Sequence, residues 1–202
     1  MPEVFTVIDI ETTGLSAATD HITEIAAIRF VIDPNGSVRE LGRFQTYVAL
    51  PVGAEIPPFI TELTGISADT LMGASNETEA SLSLEFFIGD STVIAHNAPF
   101  DLSFLSTLHS DRFVCTRALS RLVEPSESAR LADVCARHGI ELADHHRAMN
   151  DAEATVKVFA KLRTAAEANG ITYRNVVIDS EERPLTYVPR NAIVRKITKE
   201  AI

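Results

Sequence analysis

The chain has no tryptophan, only two cysteines, and 18 lysines and arginines against 28 aspartates and glutamates. Each shortage removes a class of protein. Cys115 and Cys135 stand far apart with no CxxC spacing, so neither a disulfide framework nor a zinc site is expected, and both read as buried reduced thiols. The net charge of −10 argues against a coating protein, because tight sequence-independent binding along nucleic acid rests on many Lys and Arg contacts to phosphates. A chain of this charge that acts on nucleic acid is expected to hold a few nucleotides at an end, or to rely on a partner for retention. No apolar run approaches a membrane span. The start, MPEVFTVIDIETTG, lacks a basic region followed by an apolar run and a cleavage site, so no membrane association and a cytoplasmic location are expected. No internal repeat or low-complexity tract is evident.

What is present suffices for one sizeable core: 202 residues at 46% apolar content are short for two. Residues 4–10 form a nearly continuous apolar run ended by a Thr-Thr-Gly turn signal, the pattern of a central strand buried on both faces. Residues 22–32 and 38–50 read as two further strands around Asp33-Pro34-Asn35-Gly36, which gives an antiparallel three-stranded start. Pro57-Pro58 opens a short helix to Thr64 that Gly65 ends, and residues 77–88 carry helical spacing. A buried strand at 92–95 and a helix at 98–108 suit a crossover onto a parallel strand beside the first. An edge strand at 112–114 and helices at 117–123, 129–138 and 148–168 follow. The domain is expected to span 1–170, an α/β unit with helices flanking a mixed sheet. In 171–202, six basic and four acidic side chains accompany two apolar stretches, 176–179 and 185–188, flanking Glu181-Glu182-Arg183-Pro184 as in a hairpin or an extended linker.

The chemistry lies in acidic residues recurring at three separated places. Asp9 and Glu11 in VIDIETTGL point to one face, at the carboxyl end of the first strand, where open α/β sheets build their sites. Acidic-x-acidic triplets are common by chance, and a solvated strand end is the plain alternative. Asp101 in HNAPFDLSFL follows the strand placed parallel to the first; alone, it also suits a helix first turn, where the macrodipole stabilises an acid. His96 and Asn97, just before it, suit hydrogen bonds that fix the turn. His146 and Asp151 are five residues apart, which on one helix would turn them about 140° from each other, so the helix must start after His146. A loop can then fold the imidazole back toward the carboxylate, and a histidine titrating near pH 6.5 can take a proton from water near neutrality. The adjacent His145 competes for that role, and an exposed His-His-Arg loop is the bland alternative. Four carboxylates gathered without a counter-charge would repel by about 4 kcal/mol per close pair at a surface-like dielectric, so the cluster implies divalent cations. Mg²⁺ or Mn²⁺ suits such ligands, and two of them are the apparatus of phosphodiester hydrolysis.

The ordered set DIETTGL, HNAPFDLSFL and HRAMNDAEAT resembles the three exonuclease motifs of the DEDDh family, that of the proofreading subunit of bacterial DNA polymerase III, over roughly residues 3–165. The intervening PPFITELTGIS is similar to the family segment that contacts the terminal nucleotide. The resemblance implies a ribonuclease H-like fold with a mixed five-stranded sheet. It further implies two-metal removal of nucleoside 5′-monophosphates from single-stranded or frayed DNA 3′ ends, in proofreading or repair. On this resemblance Asp9 bridges two Mg²⁺ or Mn²⁺ ions, Glu11 and Asp151 complete the set around the attacking water, Asp101 serves the second ion, and His146 is the general base. Thr12, Thr13, Gly14 and Leu15 match the family's turn at the 3′ nucleotide, and Leu63, Thr64, Asn97 and Phe100 match positions lining the same pocket. Ordinary core packing is the alternative for Leu15, Leu63 and Phe100. Many relatives carry Asp where this chain has Asn150. A 3′ exoribonuclease of the same family and a non-catalytic docking module are the competing functions, and 171–202 is a candidate docking segment for a polymerase or helicase.

Overall fold

The computed structural model describes residues 2–108, 110–143, 145–181 and 183–197. Glu182 of the expected turn, and Lys199 and Glu200 of the tail, lie outside them. Strand β1 (Val4–Thr12) is the long central strand that its apolar run predicts, with Phe5, Val7 and Ile8 essentially inaccessible. It pairs antiparallel with β2 (Ile22–Ile32), which pairs antiparallel with β3 (Val38–Ala49). On its other side β1 pairs in parallel with β5 (Thr92–Ala95), and β5 with β6 (Phe113–Cys115).

With β4 (Ser75–Asn76) at one edge, the sheet order is β4-β3-β2-β1-β5-β6, six strands against the five expected. The addition is β4, two polar residues beside Val48 and Ala49 at the end of β3, too short to show any periodicity. No helix among the described residues is long and apolar enough to cross a membrane.

Alternation along β1 sorts its side chains between two apolar layers. Ile8 and Ile10 join Ala80, Leu84 and Ile88 of α2 (Glu77–Ile88) and Leu102 and Phe104 of α3 (Ala98–Phe104). Phe5 and Val7 face the opposite layer. There they meet Leu119 of α4 (Thr116–Val123), Val134 of α5 (Leu131–His138) and Phe159 of α6 (Ala148–Ala168). The Phe5 and Phe159 rings lie 5.1 Å apart. Asp9 and Glu11 continue the Phe5–Val7 parity, so the strand aims them at the side occupied by α6. Helix α1 (Pro58–Thr64) starts at its proline, and Gly65 (φ 72°) ends it in the left-handed conformation that glycine adopts without strain.

The segment after residue 170 differs from the expected hairpin. β7 (Val176–Ser180) pairs in parallel with β8 (Ile193–Ile197) in a separate two-stranded sheet, and 185–188 forms no strand. A parallel pair cannot be closed by a tight turn, and the connection instead lays Leu185 and Tyr187 against the first apolar layer. Tyr173, Val176 and Val177 are buried in the body of the domain. Each such side chain stabilises by about 1.5–3 kcal/mol when buried, and three of them rival a typical domain's net stability. A chain ending at Asn169 is therefore expected to melt far lower than the full chain, or to show no cooperative transition, in circular dichroism. An unchanged melt would show that this segment contributes nothing to the core.

Candidate active site

Three of the predicted carboxylates converge. Oxygen atoms of Asp9 and Glu11, from β1, and of Asp151, from the first turn of α6, all lie within 4.8 Å of one another. Asp151 is buried and its partners half-buried. Asp101, buried in the first turn of α3, stands outside that trio but contributes to the field at Asp9. Register explains the convergence. β1 and β5 are parallel, so their carboxyl ends, and the helices that follow β5, open at the same edge of the sheet, while the β1–β2 register shifts between Glu11 and Thr12.

The electrostatics are those of an uncompensated acidic cluster. Burial, then the charges of Asp101, Asp151, Glu11 and Glu24, hold the Asp9 carboxyl well above its usual range. Burial, then Asp151, Glu24 and Asp101, push Glu11 up to about 8, with Arg147 opposing. Burial raises Asp101 to about 7, against hydrogen bonds from its own amide and that of Ile10. The donor set, oxygen atoms only and close together, fits a hard divalent cation, which would repay this repulsion.

A pH dependence of stability follows. In these groups the folded state keeps protons that the unfolded chain releases, so their contribution to stability is complete below the ordinary values of 3.8 and 4.5 and is lost as pH rises through about 7 to 8. In EDTA the melting temperature is expected to fall between pH 5 and pH 8. Mg²⁺ or Mn²⁺ is expected to raise it most at pH 8. Scanning fluorimetry across that range checks both, and a melting temperature unaffected by cation at pH 8 would count against a metal site here.

The histidine loop precedes α6, which starts at Ala148, after His146 as the spacing requires. His145 Nδ1 and Asp151 Oδ1 are 2.8 Å apart, and the His146 backbone N–H donates to Asp151 Oδ2 at 3.3 Å. The two imidazoles stack at 3.8 Å between ring centroids. His146 sits at φ 72°, a conformation that costs a non-glycine residue about 1–3 kcal/mol and that clusters at functional sites. Its ring makes no hydrogen bond among the described residues. Burial and the neighbouring His145 hold its pKa below the ordinary value, although Asp151 opposes them.

One positioning residue escaped the sequence reading. Glu24, fully buried on β2 directly across from Glu11, accepts hydrogen bonds from Gln45 Nε2 (2.7 Å), Arg147 Nε (3.3 Å) and the Ala148 backbone N–H (3.2 Å). It thereby ties the start of α6, and with it Asp151 and the histidine loop, to the strand beside the carboxylates. Arg147 also donates to the Tyr47 hydroxyl at 2.8 Å. The signal available was a charge inside the apolar run ITEIAAI; its partners are remote in sequence and left none.

Of the residues matched to a nucleotide pocket, Thr12 to Leu15 lie at and just after the end of β1, Leu63 and Thr64 on α1, Asn97 before α3 and Phe100 within it. The Thr12 hydroxyl donates to the Gly14 carbonyl at 2.5 Å, and Thr13 and His21 exchange hydrogen bonds that close the turn. A side chain at Gly14 would collide with the Asp20 carboxylate, which caps the Ser16 amide at 2.8 Å. Leu15 is 86% exposed and Leu63 48%, so core packing does not account for either. Phe59 on α1, another exposed apolar side chain, was not singled out from sequence. Thr64 is buried and bonds the Ile60 carbonyl and the Ile66 amide. Asn97 and Phe100 are half-buried, with the Phe100 ring 5.1 Å from that of Phe104. His96 is a structural residue: its ring nitrogens meet Thr116 Oγ1 and the Ala129 carbonyl, and burial lowers its pKa to about 4. Cys115 and Cys135 are free and buried, as expected.

A mixed sheet flanked by helices, with carboxylates gathered at one sheet edge and a histidine loop beside them, is the arrangement of a ribonuclease H-like fold. The RNase T family of exonucleases matches residues 6–159, and the chain belongs to it, as a DEDDh-family member. It is 34% identical over 185 residues to the PolC-type DNA polymerase III of Bacillus subtilis (strain 168), covering 86% of this chain and 12% of that protein. With the PolC-type enzyme of Clostridium perfringens (strain 13 / Type A) it shares 32% over 200 residues, 91% of this chain and 13% of that one. The chain thus spans only about an eighth of the length of these curated relatives. The fold is similar to that of E. coli exonuclease I in complex with a dT13 oligonucleotide, with a TM-score of 0.70, 20% identity, and 83% and 42% of the two chains covered. Exonuclease X in complex with 5′ overhanging duplex DNA gives 0.68 and 21%, covering 84% of this chain and 95% of that one.

Proposed function

We propose that the protein is a metal-dependent 3′–5′ exonuclease that releases nucleoside 5′-monophosphates from single-stranded or frayed DNA 3′ ends in proofreading or repair. The observation that carries this reading is the convergence of Asp9, Glu11 and Asp151 within 4.8 Å, beside Asp101 and the histidine loop, in a chain of the exonuclease family. Two Mg²⁺ or Mn²⁺ ions held by Asp9, Glu11, Asp101 and Asp151 would supply charge stabilisation at the scissile phosphate and at the attacking and leaving oxygens. Around them the chain's own groups bind, orient and move protons. Leu15, Leu63 and Phe100 offer apolar surfaces to the terminal base and sugar, while the Thr12–Gly14 turn presents backbone at a fixed angle. His146, with a ring that holds no hydrogen bond among the described residues and a lowered pKa, accepts the proton of the attacking water; His145 orients Asp151 through its Nδ1.

DNA as the substrate is supported by the relatives, which are DNA polymerases, and by the fold's likeness to exonucleases solved with DNA. The same relatives make a DNA polymerase the natural class of partner to retain an acidic chain at a primer end, and residues 171–202 are the candidate docking segment. The deciding experiment offers the purified protein matched 3′-labelled DNA and RNA oligonucleotides and a closed circular single strand, with EDTA and with Mg²⁺ or Mn²⁺. Mononucleotide release from linear DNA, dependent on cation, is expected, with the circle untouched. Cutting of the circle would refute exonuclease action, and preference for RNA would move the assignment to an exoribonuclease.

A further inference from the structure

Beyond Asn97 and Pro99 at the start of α3 lies a cavity of about 460 Å³ whose walls are rich in arginine. Arg117 and Arg121 enter it from α4, Arg130 from the residue before α5, and Arg183 from the segment after β7, with Asn97 and Leu185 also on its walls. No aspartate or glutamate among the described residues lines it. That is unexpected in a chain of net charge −10, where carboxylates are abundant and Arg43, Arg137, Arg147, Arg163 and Arg174 all form ion pairs. Among the described residues none of the cavity's four guanidinium groups is paired with a carboxylate, and Arg121 reaches only the Glu127 carbonyl, at 3.4 Å. Arg117 is half-buried; burial, and then the charges of Arg183 and Arg121, lower its pKa. Like charges gathered from three separate segments around one concavity are costly unless an anion joins them, and guanidinium forks match phosphate oxygens.

We infer that this cavity is a phosphate-binding site that takes a phosphodiester of the nucleic-acid strand being digested. Asn97 ties it to the edge that carries Asp101, since it lies two residues after the end of β5 and immediately precedes α3, the helix that holds Asp101. The inference rests on the exonuclease reading and adds to it the place where an acidic protein makes its backbone contacts. It also gives the segment after β7 a task, because Arg183 closes the cavity from that side.

The test uses the full chain with Arg183→Ala, which alters an exposed residue, Arg117→Gln, the double variant, and the charge-conserving Arg183→Lys. Hydrolysis of the p-nitrophenyl ester of thymidine 5′-monophosphate, which has one phosphate for the carboxylate site and none for the cavity, should stay within about twofold of the parent in every variant. On a single-stranded 15-mer, KM should rise about tenfold in the double variant with kcat little changed. The salt dependence of oligonucleotide affinity should flatten by roughly one unit of log–log slope per arginine removed, and Arg183→Lys should keep most of it. Unchanged KM and salt slope in Arg183→Ala and the double variant, with the ester still hydrolysed, would overturn the site and leave the exonuclease reading standing. Failure of the parent protein to hydrolyse either substrate would instead overturn that reading. Inorganic phosphate supplies a separate arm, read by calorimetric titration: if the variants weaken phosphate binding without changing the oligonucleotide KM, the cavity takes free phosphate and its assignment to the strand is wrong.

Discussion

Asp9→Asn is expected to lower kcat/KM on a single-stranded DNA oligonucleotide by about 10³-fold, from the loss of about 4 kcal/mol of charge stabilisation in the transition state. Asp9 stands at the centre of the cluster. It shares the 4.8 Å trio with Glu11 and Asp151, and it feels Asp101 more strongly than any other charge. The same change should stabilise the metal-free protein at pH 8, because Asn removes a carboxylate whose ionisation burial and neighbouring charges resist. Function and stability therefore pull in opposite directions at this position, as they do where a site stores repulsion for a ligand to relieve. Turnover assays in Mg²⁺ and melting curves in EDTA read the two effects separately. Near-normal turnover would remove Asp9 from the metal-holding set, and a lower melting temperature in EDTA would contradict the electrostatic account.

His146→Ala is expected to lower kcat by about 10²- to 10⁴-fold while leaving oligonucleotide binding nearly intact, the pattern for loss of a general base. His145→Ala removes the 2.8 Å hydrogen bond to Asp151 and should cost much less, since Asp151 retains the His146 backbone N–H. The two rings are stacked and adjacent, so the pair of variants is a direct test of which imidazole takes the proton. The opposite ranking would transfer the role to His145, the ring that the structure places on Asp151.

Local pattern made much of this site legible. The 3.6-residue period and the position of Ala148 set the start of α6 after His146, and the twofold period of β1 put Asp9 and Glu11 on one face. Glu24 was not legible, because its role depends on Gln45, Arg147 and the Ala148 amide, brought together by strand register and by α6 packing across the sheet. The sixth strand was missed because two residues of edge pairing carry no period. The hairpin expectation failed because two apolar stretches with a turn signal between them do not specify which later segment completes the pairing.

By itself the sequence determined the order of elements, the three motif segments and the side of the first strand on which the acids lie, since each depends on residues near one another in the chain. Tertiary structure alone decided the 4.8 Å approach of Asp9, Glu11 and Asp151 and the arginine cavity drawn from three segments. Those distances arise from long-range packing of β1, α4, α6 and the segment after β7. No local propensity encodes them, because their stabilising contacts exist only once the whole core has closed.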